Sequence, residues 1–435
     1  MSLEMIGIIG ILLMLALMFL RMPLGAAMAL VGFAGFCHIV DSQAGVTMLS
    51  SVAYSMASKY MLTTIPLFTL MGILAGNAGF SSDAFEAVNK WLGHLPGGLA
   101  MATMGACAGF AAVCGSEIAT AATMCSVAYP EMRKYKYSNQ FSLGAISCGG
   151  QLGIMIPPSI AFILYAFLTE ESIGSLFIAG IFPGILITVL FIIAIILICW
   201  RNPAAAPAGP KSNWRERIVI LYRVWGIIAL FLLVMGGMYT GFFTPTEAGS
   251  VGAFGALVLG LIKRRIIWKN FMNSLTETGR IAGMIFLLII GSSIFSAFMA
   301  VSEIPFSLAN FIGGLSVHPV IVVVALLVMY IIIGFFMDII AVMVLTVPII
   351  YPVLKTVGID PIWFGVLVVL TIMMGAVTPP VGVVVYAVAG MVKDVPLYTI
   401  FRGIWPFLYA MLIAMAILIA FPQVSLWLPN LMIPG

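Results

Sequence analysis

Gly149-Gly150-Gln151-Leu152-Gly153-Ile154-Met155-Ile156-Pro157-Pro158-Ser159 interrupts a long apolar run where a membrane helix would otherwise be continuous. The two prolines remove backbone donors, and the residue before each is pushed away from the α region. The glycines weaken the helix further. Facing lipid, the freed polar groups would be unsatisfied, so the break must be buried in protein or line a cavity. A second break, Gly375-Ala376-Val377-Thr378-Pro379-Pro380-Val381-Gly382, follows later in the chain. Matched breaks in two halves of a chain mark a transporter's binding region.

The surroundings are those of an integral membrane protein. Of 435 residues, 63% are hydrophobic and 8% charged, whereas a soluble domain is about one-quarter charged. Met5–Leu20 has the length of a signal peptide, but its basic residue, Arg21, follows the apolar run and no small-residue cleavage site comes after it. It is expected to stay as the first helix. The net charge of +4 comes from basic clusters in short segments between apolar runs. That pattern is a topology signal and not a nucleic-acid footprint. The six cysteines have no zinc or disulfide spacing. No nucleophile–base motif, metal signature or phosphate loop is evident, which argues against an enzyme.

The apolar runs predict an all-α polytopic protein in two repeats, 1–200 and 222–435, joined by a cytoplasmic linker at 201–221 rich in Pro and Ala. Ala- and Gly-rich residues 97–128, interrupted at Cys114-Gly115-Ser116-Glu117, read as a re-entrant hairpin, and 138–168 as the first broken helix. Residues 319–352, broken near Gly334 and carrying Asp338, read as a second hairpin, and 361–392 as the second broken helix. Residues 41–58 read as a polar surface stretch, and Phe401–Phe421 as the last span.

The repeat is visible in the residues. Pro23 pairs with Pro245, Tyr129-Pro130 with Tyr351-Pro352, and Gly153 and Pro157-Pro158 with Gly375 and Pro379-Pro380, each 222 residues apart. Five spans and a hairpin per half invert the second half relative to the first. With the N-terminus outside, seventeen of the 19 basic residues fall on one face; only Lys59 and Lys355 lie opposite. The first hairpin would then open to the cytoplasm and the second to the outside.

Charges inside a membrane are costly and mark function. Glu117 and Asp338, at the two hairpin interruptions, are the acidic candidates. No basic residue is a clear counterpart, so an anionic cargo would be held by helix N-termini and hydroxyls. Unwound carbonyls with nearby Ser or Thr oxygens suit Na⁺. Gly115 to Thr120 facing Gly149–Pro157 would make one site, and Gly334 to Asp338 facing Thr378 to Gly382 its mirror. The bland alternative is that glycines serve close packing and prolines kink helices. Thr244-Pro245-Thr246-Glu247 suits a helix N-cap and first turn.

Arg21-Met22-Pro23-Leu24-Gly25, Ile65-Pro66-Leu67-Phe68, Gly115-Ser116 with Ala119-Thr120-Ala121-Ala122, the two breaks, Gly180 with Pro183-Gly184, and Phe243-Thr244-Pro245-Thr246-Glu247-Ala248 run through nearly the whole chain. Together they resemble the large membrane subunit of tripartite ATP-independent periplasmic (TRAP) transporters. The resemblance implies a multi-pass bacterial inner-membrane protein with an ion-transporter-superfamily elevator fold. It implies Na⁺-driven import of small organic acids, sialic acid or C4-dicarboxylates first among them. A periplasmic binding protein (P type) and a small four-helix membrane subunit (Q type), expected as a separate chain, are the implied partners. Family sodium sites carry over onto Ser116, Thr120, Gly150 and Pro157, with Gly115 beside them, and onto Gly334, Asp338, Thr378 and Gly382. Substrate contacts are expected from Glu117, Gly149, Ser159, Thr378 and Pro379. The position after Gly115-Ser116 is often small in the family, and Glu117 departs from that. A stand-alone Na⁺-coupled carboxylate transporter is the main alternative; a non-transporting membrane scaffold is another.

Overall fold

The computed structural model describes residues 2–314 and 318–432. Met1 and residues 433–435, which the sequence assigns to the two repeats, lie outside the described residues. Every regular element among the described residues is a helix. The first half runs α1 (Leu3–Phe19), α2 (Leu24–Ile39), α3 (Ser42–Ser58), α4 (Thr64–Asn77), α5 (Phe80–Leu92), α6 (Gly98–Cys114) and α7 (Glu117–Lys134). It continues through α8 (Asn139–Gly150), α9 (Leu152–Met155), α10 (Ile160–Thr169) and α11 (Ile173–Arg201). The second half runs α12 (Trp214–Tyr239), α13 (Pro245–Ile262), α14 (Trp268–Val301), α15 (Ile304–Gly314) and α16 (Pro319–Gly334). It ends with α17 (Ile339–Val357), α18 (Pro361–Val377), α19 (Val383–Met391), α20 (Leu397–Ala420) and α21 (Gln423–Met432).

Seven helices among the described residues are long and apolar enough to cross a membrane, or eight if the bent pair Asn139–Met155 and Ile160–Thr169 counts as one span. That pair bends by 42° at the first Gly/Pro break. Helix starts recur along the chain. Gly98 and Pro319, Glu117 and Ile339, Asn139 and Pro361, and Ile173 and Leu397 are 221 to 224 residues apart. The spacing fails in places: the starts of α1 and α12, Leu3 and Trp214, are 211 residues apart. The first half divides α3 from α4 by a short 3₁₀ turn at Tyr60–Thr63, where the second half has the single 34-residue α14.

The linker is shorter and better held than the sequence suggests. α12 begins at Trp214, inside the expected linker 201–221, because Asn213 caps it through its side-chain oxygen. The remaining segment is pinned by backbone hydrogen bonds: Ala206 accepts from Gly97, Ala205 accepts from Ser138, and Gly209 donates to Gly93. A further helix, α21, follows the expected last span, and α7 runs through Pro130 to Lys134, past the expected hairpin end at 128. Thr244 and Glu247 form a reciprocal capping box at the start of α13, with Pro245 at its first position.

α2 packs on α14 and α4 on α13, so the halves interlock through their early helices. The hairpins interlock as well: α7 packs against α19 and α10 against α17. One charged contact ties α5 to the turn after α13. Asp83, buried at 2% exposure, accepts from Lys263 at 2.5 Å and from Arg265 at 3.1 and 3.2 Å. Removing Asp83 leaves Lys263, 17% exposed, without its buried partner, whereas Arg265, 41% exposed, is solvated, so the loss is smaller than for a fully buried pair. Asp83→Ala is therefore expected to lower the thermal unfolding midpoint of the detergent-purified chain clearly; an unchanged midpoint would contradict the assignment.

Candidate functional site

The first hairpin turns on two residues. Gly115 has φ +66°, a left-handed conformation that glycine adopts without steric cost. Ser116 caps α7 by accepting from the Ala119 amide at 3.4 Å. The Thr120 hydroxyl donates to the Ser116 carbonyl at 2.7 Å, and the Ile160 amide donates to the Gly115 carbonyl at 3.4 Å. The tip is thus bonded directly to the helix that restarts after the break.

Glycines let the two backbones touch. A methyl group on Gly153 would lie 2.5 Å from the Ser116 carbonyl oxygen and 2.8 Å from the Thr120 hydroxyl. One on Gly115 would lie 2.8 Å from the Pro158 carbonyl oxygen, and one on Gly150 2.5 Å from the Ala121 side chain. Gly115, Ser116, Thr120 and Gly150 therefore sit in one contact, with Pro157 buried in the break beside them. Gly149 turns elsewhere: its open side meets the sulfurs of Cys107 and Met104 on α6. Ser159 is fully buried, and its hydroxyl donates to the Ile154 carbonyl at 2.5 Å, stitching the break across.

The second hairpin has a longer tip, Phe335 to Asp338. Gly334 rests on the backbone of Gly375, where a methyl group would lie 2.8 Å from the Gly334 carbonyl carbon. The Thr378 hydroxyl donates to Met374 at 2.5 Å, and Gly382, at φ +59°, precedes α19. Pro379 is exposed, whereas Pro157 is buried. The hydroxyls of Thr120, in the first hairpin, and Thr378, in the second break, each donate to a carbonyl one helical turn back.

Between the two hairpin tips lies a cavity of about 380 Å³. Gly115, Ser116, Glu117 and Asp338 line it, together with Thr69 and Gly72 of α4, Ile160 and Ala161 of α10, and Glu277 of α14. Glu117 is 4% exposed and its Oε2 has no hydrogen-bond partner. Thr120, Gly149, Gly150, Pro157 and Ser159 lie behind this cavity, in the first hairpin and break, and Gly334, Thr378, Pro379 and Gly382 in the second; none lines it. Glu277, Thr69 and Gly72 went unmarked in the sequence. Gln151 did too, although it lies within the first break: it is fully buried and both its amide atoms lack partners. As a lone amide in an apolar run, it carried a readable signal.

The sequence matches the family described as the tripartite ATP-independent periplasmic transporter DctM component over residues 11–424. It is 33% identical to the C4-dicarboxylate TRAP transporter large permease protein DctM of Pseudomonas aeruginosa, covering 90% of this chain and 91% of that protein. It is 30% identical to the sialic acid TRAP transporter large permease protein SiaM of Vibrio cholerae, and 30% identical to the ectoine TRAP transporter large permease protein TeaC of Halomonas elongata. Both alignments cover 96% of this chain and 97% of the relative. In fold it is similar to the YdaH transporter of Alcanivorax borkumensis, with a TM-score of 0.67 at 13% identity over 90% of this chain and 91% of that one. Permease subunits of this kind are not enzymes. The apolar helices and these relatives make the protein a multi-pass component of the bacterial inner membrane. The chain belongs to the DctM component family of tripartite ATP-independent periplasmic transporters.

Proposed function

We propose that the chain is the large membrane subunit of a Na⁺-driven importer of a small organic acid, handed over by a periplasmic binding protein and completed by a small four-helix membrane subunit. The observation that carries this reading is the seating of the Ser116–Thr120 turn on the Gly150–Pro157 break. Backbone carbonyls and a threonine hydroxyl meet there, and oxygen ligands of this kind suit a hard cation. Gly334, Asp338, Thr378 and Gly382 supply the corresponding oxygens in the second half.

Coupling to movement follows from the packing. Each hairpin is packed against the broken helix of the other half, α7 on α19 and α17 on α10, so the four elements move as one body. The α2–α14 and α4–α13 pairs form the frame against which it slides, in an elevator mechanism. Relatives named for sialic acid, C4-dicarboxylates and ectoine set the range of cargo to test.

The test is uptake into proteoliposomes holding the purified chain. Accumulation is expected only with the small subunit, the binding protein and an inward Na⁺ gradient together. Comparable uptake by the chain alone would favour a stand-alone carboxylate transporter instead.

A further inference from the structure

Lys59 and Lys355 are the two basic residues that the charge count leaves on the face opposite the other seventeen. A basic residue there opposes the bias that orients the chain, so two of them need a reason. Both line one cavity, of about 640 Å³. With the N-terminus outside, that cavity lies on the outer face.

Its walls come from both sides of the seam between frame and moving body. Lys59 follows α3, which packs on α14, and Ser292, Ser293 and Ser296 stand on α14 itself. Tyr351 and Lys355 belong to α17, and Glu170 and Glu171 follow α10. α14 also lines the cavity at the hairpin tips, through Glu277, Ile281 and Met284. Met284 and Ser292 are about 12 Å apart along that helix. The outer cavity therefore comes before the tips on the way in.

The donors left over in the cavity define what it can hold. Ser292 gives its proton to the Val344 carbonyl, Ser293 to Ile289, Thr169 to Tyr165 and Tyr351 to Glu171, at 2.7 to 2.9 Å. Among the described residues, Ser296 is the lining hydroxyl with no such bond. Glu171 is engaged by Tyr351. Glu170, its side chain 84% exposed, is turned to water and lies 4.0 Å from Lys59, an exposed pair worth little. Lys355 forms no ion pair among the described residues. Its ammonium lies 4.6 Å from the Tyr351 ring centre, and that of Lys59 lies 4.9 Å from Phe167. Two ammoniums and a hydroxyl suit a charged group that only accepts hydrogen bonds.

We infer that this cavity is an outer reception site, where Lys59, Lys355 and Ser296 hold the carboxylate of the incoming cargo before it reaches the hairpin tips. This rests on the import reading and on the outward N-terminus. Sliding of the body separates the donors on the two walls and releases the acid group inward.

The experiment uses the chain with its small subunit and binding protein in proteoliposomes under a Na⁺ gradient. The cargo is whichever of labelled succinate, sialic acid or ectoine the wild type accumulates. The double variant Lys59→Gln, Lys355→Gln is expected to need about fivefold more cargo-loaded binding protein for half-maximal uptake, with the maximal rate within about twofold of wild type. The double variant Lys59→Arg, Lys355→Arg keeps both charges and should match wild type. Affinity of the unloaded binding protein for the Gln variant should stay within about twofold of wild type, because the lysines hold cargo and not the partner. An unchanged half-maximal concentration overturns the inference, as does a rise matched by an equal loss of binding-protein affinity. In intact cells, Lys355→Cys should take a membrane-impermeant maleimide above the wild-type background. No added labelling overturns the inference and leaves the import reading standing. Na⁺-driven uptake of none of the three acids by the wild type overturns both.

Discussion

Gly153→Val is expected to cut Na⁺-driven uptake by about a hundredfold while the protein still inserts and folds, since losing two of the proposed ligand oxygens at about 1.4 kcal/mol each is a factor of ten apiece. A methyl group at Gly153 already meets the Ser116 carbonyl at 2.5 Å and the Thr120 hydroxyl at 2.8 Å. Valine must push the hairpin tip off the break, and both oxygens leave the shared site. The rest of α6 and α7 keeps its packing on α8, so insertion and overall fold survive. Gly283→Val is the control, because nothing lies within 4 Å of that position. Uptake near wild type in Gly153→Val would remove the tip–break contact from the mechanism.

Gly291→Val is expected to have a larger effect on stability than any substitution in the cavity. α2 and α14 cross with their backbones in contact: the added Cβ would collide with the Gly25 carbonyl oxygen. The contact is repeated along the crossing, since a methyl group on Gly25 would lie 2.6 Å from the Leu287 carbonyl oxygen and one on Gly32 2.7 Å from the Phe295 Cα. Main chain in the middle of two long crossing helices cannot yield as a hairpin tip can, so overpacking here costs about 3 kcal/mol, the upper end of the usual range. Size-exclusion chromatography in mild detergent should show the folded peak lost or much reduced. A peak and unfolding midpoint matching wild type would contradict so close a crossing.

Why some features could be read from the sequence and others not has a physical basis. Helix breakers act locally, so Gly149–Ser159 and Gly375–Gly382 could be located from the chain alone, and the helices do stop there. Glu117 and Asp338 were legible for the same reason: a charge inside an apolar run is costly wherever it sits. Glu277 was not. It lies three residues before Arg280, in the polar opening of a span, where sequence suggests an interface; only the approach of α14 to the hairpin tips brings it to the cavity. Gly72 was hidden likewise, because its close approach to the Cys114 carbonyl depends on how α4 crosses the hairpin. The proline-rich segment after α11 suggested a loose tether, yet its carbonyls are taken by amides of Gly97 and Ser138, which sequence spacing does not reveal.

In the proposed function, sodium is held where hairpin tip meets helix break. The measurement is the thermal unfolding midpoint of the purified chain as Na⁺ replaces K⁺ at constant ionic strength. Na⁺ should raise the wild-type midpoint and saturate, since a ligand bound only by the folded state stabilises it by mass action. Thr120→Val and Thr378→Val should each need about tenfold more Na⁺ for the same rise, the loss of one ligand worth about 1.4 kcal/mol. Equal stabilisation by K⁺, or wild-type Na⁺ midpoints in both variants, would contradict it.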